Sequence, residues 1–173
     1  MKGTTILSGP HLTLLDWLAD HDVEFETHEH VETFTAWASA RAEGIDPRTF
    51  AKVVGVATDD GRKALVVVDA PDHVDLAKVA AFLGADRVRL LTEAELTDLA
   101  PGCEPGAIPA VGRLYGVTVV ADLAIRDDRD ISFNAGSHRF SVRVDRAAWE
   151  RAAAVHYADL VRNDDRGPVW DRT

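Results

Sequence analysis

The stretch "FAKVVGVATDDGRKALVVVDA", residues 50–70, decides the architecture. Two runs rich in valine and alanine flank Asp59, Asp60, Gly61 and Arg62. Asp-Gly readily takes the positive φ that tight turns need, so this spacing predicts an antiparallel hairpin. The flanking sequence is not all β. Downstream, Leu76, Val79, Ala80 and Leu83 of "VDLAKVAAFLG" share one helical face, and Gly84 stops the helix. "RVRLL" alternates as a strand, and "TEAELTDL" opens with Thr92 and Glu95 at capping-box spacing. Upstream, "HLTLLDWLADHDV" places Leu12, Leu15 and Leu18, with Leu14 and Trp17, near one stripe. "EFETHEH" reads as a strand, and "TAWASARAEG" as a helix ending at Gly44. Beyond residue 112, "VTVVADL", "DISFN" and "RFSVRVD" read as strands, the last with Phe140, Val142 and Val144 on one face. "DRAAWERAAAVHYADL" reads as a closing helix capped by Asp145. Strands that form hairpins and also alternate with helices imply an α/β or α+β fold with a mixed sheet. Neither G-x-G-x-x-G after a strand nor G-x-x-x-x-G-K-[ST] occurs, so the usual nucleotide loops are absent.

The chain of 173 residues suits one domain, expected over residues 1–162, with 163–173 as a polar tail in which Trp170 is able to dock. At 46% hydrophobic it can build a proper core. No stretch resembles a signal peptide or approaches the roughly 20 apolar residues that span a bilayer. The expectation is a soluble, cytoplasmic protein with no membrane partner. Cys103 is the single cysteine, so no internal disulfide forms, and a cysteine-based zinc site has little support. The formal net charge of −10 argues against a non-specific nucleic-acid binder but leaves room for a local basic patch. Acids concentrate between Asp16 and Glu32, whereas the bases other than Lys2 begin at Arg41 and include Arg48, Lys52, Arg139 and Arg143.

Several residues could carry chemistry. Lys52 interrupts an apolar strand. It either faces outward from a half-buried strand or lines a cleft, where it binds phosphate or carboxylate or stabilises an oxyanion. His28 and His30, two apart in a strand, share a side. They read as surface, as a polar cleft wall, or as a metal pair that has no third ligand at motif spacing. "NAGSH", residues 134–138, reads as a tight turn through Asn134 and Gly136, with His138 at its edge. Ser137 lacks the G-x-S-x-G context of a hydrolase elbow. "PGCEPGAIPAVG", residues 101–112, is either a stiff crossover or a ligand loop whose glycines let backbone N–H groups approach an anion.

Taken in order, these features resemble the YbaK/ProX-type aminoacyl-tRNA editing domain, also inserted in bacterial prolyl-tRNA synthetases. The resemblance spans roughly residues 12–160 and is carried by "GIDPRTFAKVVGV", "VDLAKVAAFLGADRVRLL", "GCEPGAIPAVG" and "NAGS". It implies a mixed, partly barrel-like sheet flanked by helices, and a pocket between the sheet lysine and the Gly/Pro loop. It implies hydrolysis of the ester of a mischarged tRNA, with a small amino acid such as alanine or cysteine on tRNA for proline. Lys52 and Gly106 take the catalytic roles, the lysine fixing the substrate and the loop N–H groups holding the oxyanion. Substrate binding falls to His28, His30, Phe50, Gly102, Ala107, Ile108, Pro109, Asn134, Gly136 and His138. No metal or cofactor is called for. The expected partners are mischarged tRNA and an aminoacyl-tRNA synthetase, with the oligomeric state open. Two departures stand out: Val53 follows the lysine where some members carry asparagine, and His28 and Ser141 stand where a cysteinyl-specific relative carries tyrosine and aspartate. Three other readings compete. They are a binding module of this fold without catalysis, a small-molecule esterase, and a metal-dependent hydrolase using His28 and His30.

Overall fold

The computed structural model describes residues 11–166, with side chains as far as Asp165. The central hairpin forms as its turn chemistry dictates. β2 (Ala51–Thr58) and β3 (Lys63–Asp69) pair antiparallel, and Gly61 takes φ 89° at the turn. β3 is an unbroken apolar run because both its faces are covered. Leu65 and Val67 enter one core cluster, whereas Val66 and Val68 enter another, as the two-residue period of a strand requires.

Two sheets form around this hairpin among the described residues. The larger has the order β4-β2-β3-β5-β8, and the smaller has the order β1-β7-β6. In the larger sheet β4 (Val88–Leu90) pairs antiparallel with β2, and β5 (Thr118–Asp122) runs parallel to β3. The smaller sheet is antiparallel: β1 (Phe25–Glu29), β7 (Phe140–Asp145) and β6 (Asp130–Ser137). A single bridge between Phe50 and Ser132 ties the sheets together. The fold is mixed α+β, and the sheets do not close into a barrel. The main core lies where Leu65, Val67, Val119 and Ala121 meet Ile131, Phe133, Val142 and Val144, with Trp149 and Leu18 completing it. No described helix is long and apolar enough to cross a membrane.

The helices begin and end at the expected signals. Thr35 caps α2 (Ala36–Glu43), and Gly44 follows in the left-handed region. Asp75 caps α3 (Leu76–Leu83), accepting from Ala77 N and Lys78 N, and Gly84 ends it at φ 65°. Thr92 and Glu95 form the reciprocal capping box of α4 (Glu93–Leu99). Asp145 caps α5 (Arg146–Ala152). α1 spans Leu12–Asp20.

Two expectations are corrected. The closing helix stops at Ala152, Ala154 takes φ 51°, and residues 156–158 become β8 (His156–Ala158), parallel to β5. The alanine run suits a helix locally, but β5 needs a partner on its outer edge, and Leu160 and Val161 beyond it bury against α3. "NAGS" is not a turn: it is the end of β6, irregular in register between Asn134 and Ser137, and His138 and Arg139 make the turn. Residues 163–166, read as tail, form a 3-10 turn, and Asp165 accepts from His73 N at 2.8 Å. The docking of Trp170 lies outside the described residues.

Candidate functional site

β4 pairs with β2 only over Val56–Thr58, so the first half of β2 has an open edge. Phe50 O accepts from Ala70 N on the β3 side, whereas Gly55 O accepts from Leu91 N on the opposite side. Alternation therefore turns the main-chain groups of Val53 toward the open edge. A cavity of about 630 Å³ occupies that edge.

Ala51 to Gly55 form its floor, and Leu91 and Leu96 one flank. Gly106, Ile108 and Asn134 form the facing wall, and Phe34 and Trp37 stand at the mouth, both substantially exposed. A Cβ at Gly55 would lie 2.7 Å from Leu96 Cδ2 and 2.9 Å from Leu91 Cδ1, so a larger residue there has to push those leucines aside.

Lys52 reaches this cavity from β2, half-buried. Its ammonium donates to the carbonyl of Asp72 in the turn after β3. Burial lowers its pKa, with Arg162 adding to the effect and Asp72 and Asp165 opposing it. Asp72 is itself held by Arg48, whose Nη1 donates to Oδ1 at 2.9 Å. The same guanidinium lies 3.8 Å from Asp69 Oδ2. Burial pushes the Asp69 carboxyl up to about 8, with the charges of Asp128 and Asp72 acting in the same direction. Burial also raises Asp72.

Across the cavity, the 101–112 loop is fixed at both ends. Trp149 Nε1 on α5 donates to Ala110 O at 2.7 Å, and Gly136 N donates to Ala107 O at 2.9 Å. His138 Nε2 lies 3.0 Å from Pro105 O, and the same imidazole packs over Gly106, which sits at φ 83°. Among the described residues the N–H groups of Gly106 and Ile108 donate to no protein acceptor. Two amides without a protein acceptor beside one cavity are able to donate to an anion there. Beside them, the buried Oδ1 of Asn134 has no hydrogen-bond partner.

The predicted residues thus divide. Lys52, Gly106, Ile108 and Asn134 meet on one cavity. Gly102, Ala107, Pro109, Gly136 and His138 shape the loop behind that wall without lining it. Gly136 is required there, since a Cβ would lie 2.8 Å from His11 Cβ. Phe50 is wholly buried in a small cluster with Ala36 and Ala40. The two histidines differ in exposure: His28 is half-buried and His30 is buried. β1 ends at Glu29, so His28 stays near Glu26 at 3.5 Å, whereas His30 is buried with Nε2 3.5 Å from Glu43. Glu43 also accepts from Ser141. Cys103 packs against Tyr115, and burial raises its thiol pKa.

Sequence reasoning missed Phe34, Trp37 and the Arg48–Asp72 pair. Phe34 and Trp37 sit around a helix start with no strand or motif context. Arg48 sits directly after the "GIDP" turn, but its partner is 24 residues away.

Comparison with known proteins gives a consistent result. The model of the family described as the aminoacyl-tRNA editing domain matches residues 28–152. The multifunctional Ser/Thr-tRNA deacylase ProXp-y of Escherichia coli strain K12 is 30% identical over 156 residues, covering 88% of this chain and 93% of the relative. Two solved structures show the same fold. One, provisionally assigned as a trans-editing enzyme for prolyl tRNA synthetase, aligns with TM-score 0.76 and 21% identity, covering 87% of this chain and 95% of its own. The other, described only as hypothetical, aligns with TM-score 0.78 and 17% identity, covering 86% of this chain and 99% of its own.

Proposed function

The chain belongs to the aminoacyl-tRNA editing family, and we propose from that premise that it hydrolyses the ester of tRNA charged with a wrong, small amino acid. The observation that carries this reading is one cavity lined by Lys52, Gly106, Ile108 and Asn134, where the amides of Gly106 and Ile108 and the Oδ1 of Asn134 have no protein partner among the described residues.

Ester hydrolysis needs a positioned carbonyl, a water and a site for the developing oxyanion. The amides of Gly106 and Ile108 accept that charge as the water oxygen adds to the carbonyl carbon. Collapse then breaks the bond to the ribose oxygen. The water proton passes to that oxygen, with the neighbouring ribose hydroxyl as carrier. The products are the free amino acid and uncharged tRNA. Lys52, held by Asp72, fixes the ribose end, and the exposed rings of Phe34 and Trp37 face the nucleotide at the mouth.

Selection follows size and polarity. The leucines and Ile108 exclude long side chains. The buried Asn134 Oδ1 favours a substrate that can donate to it, through a side-chain hydroxyl or the α-ammonium. Serine and threonine esters, on which the Escherichia coli relative acts, fit this donor requirement. Alanine and cysteine on tRNA for proline form the second reading, supported by the apolar floor. A panel of tRNAs mischarged with serine, threonine, alanine and cysteine tests both, in the cytoplasmic setting where such tRNAs arise. Binding without turnover on every member would overturn the hydrolase in favour of a binding module.

A further inference from the structure

A second cavity of about 680 Å³ adjoins the first, sharing Lys52, Val54 and Leu90. His73 and Arg162 also line it. Arg162 is exposed, and its main-chain N–H donates to His73 O at 3.0 Å, which fixes its position beside the 72–75 turn. The carboxylates nearby are already committed. Asp72 is paired with Arg48, Asp75 caps α3, and Asp165 holds His73 through its N–H and ring. Among the described residues the Arg162 guanidinium has no carboxylate partner. Two cations, Lys52 and Arg162, thus line one cavity in a chain of formal charge −10. Such a pair is relieved by an anion placed between them.

We propose that Lys52 and Arg162 together bind a backbone phosphate of the tRNA 3′ strand as it passes from the aminoacyl cavity into the second one. This deepens the editing reading and rests on it for the identity of the strand. The continuity of the two cavities supplies the path. The ester end enters beside Gly106, and the linkage on its 5′ side lies across Lys52. A phosphodiester carries a negative charge that both cations can share, whereas the ribose and ester carry none.

The test separates this site from the catalytic reading. A labelled single-stranded RNA ending in CCA is compared with the same strand carrying an uncharged methylphosphonate at its last linkage, by fluorescence anisotropy. Wild-type protein should bind the charged strand about tenfold more tightly, with affinity falling as salt rises. Arg162→Gln should lose most of that preference, Lys52 keeping the remainder, with its salt slope smaller by about 0.7. Arg162→Lys should recover part of the preference. Equal binding of the two strands by wild-type protein, or an unchanged preference in Arg162→Gln, overturns the phosphate site whether or not any tRNA is hydrolysed. Under turnover, Arg162→Gln should raise KM for mischarged tRNA about tenfold and leave kcat unchanged. Hydrolysis of an aminoacyl ester of unphosphorylated adenosine should not change. A fall in kcat on both substrates would assign Arg162 a structural role and overturn the proposal.

Discussion

The Lys52 ammonium donates to the main-chain carbonyl of Asp72, whose side chain is in turn gripped by Arg48. The lysine is therefore aimed by a turn and not by a carboxylate. Its charge remains available to a substrate, because a carbonyl orients it without neutralising it. Lys52→Ala should lower deacylation of mischarged tRNA by on the order of 10²–10³, with the melting temperature nearly unchanged. Wild-type turnover in that variant would remove the lysine from the mechanism.

Gly55 sets the width of the cavity. In Gly55→Ala the new methyl would press on Leu91 and Leu96, both of which line it. The larger of two similar substrates should suffer more. The ratio of kcat/KM for seryl- over threonyl-tRNA is expected to rise about tenfold, the scale of one methyl group in a tight pocket. An unchanged ratio would show that side-chain size is read elsewhere.

Trp149 anchors the loop from behind. Trp149→Phe leaves Ala110 O buried without its donor and should cost about 1–3 kcal/mol. Urea unfolding would show this as a lower midpoint at constant slope. Because the same loop carries Gly106, deacylation should fall even at temperatures where the variant is fully folded.

These cases show what was legible in the sequence. The hairpin at 58–62 and the caps at Asp75, Thr92 and Asp145 depend on neighbours within a few residues, so their chemistry could be read directly. Lys52 and the glycine loop were legible because each breaks a local rule, a charge in an apolar strand and proline-glycine density between elements. β8 was not legible. Its strand state comes from the outer edge of β5, some 35 residues earlier, and the alanines before it prefer helix in isolation. His28 and His30 were grouped by strand alternation, but the strand ends between them. Arg162 carried no signal, because its meaning depends on two cavities meeting at Lys52.

Asp69 makes stability depend on pH. Its carboxyl is raised to about 8 in the fold, above its value of 3.8 in an exposed chain. Between those values the native state holds a proton that the unfolded state has released. Stability should therefore fall as pH rises from about 4 to about 8. Asp69→Asn should flatten that decline, as read from melting temperatures at pH 5 and pH 8. Asp128, raised by burial to about 6, acts in the same direction and leaves a residual slope at the acid end. A decline of equal size in the variant would assign the effect to other groups.

The hydrogen atoms that serve as side chains at Gly55 and Gly106 make this site directional in how it can change. No substitution at either position can remove an atom, so variation there can only restrict what enters or block it. A shift toward bulkier substrates has to come from shortening wall residues such as Ile108, Leu91 or Leu96. A lineage or a design campaign working on this cavity thus meets a one-way gate at its glycines and a reversible one at its aliphatic walls.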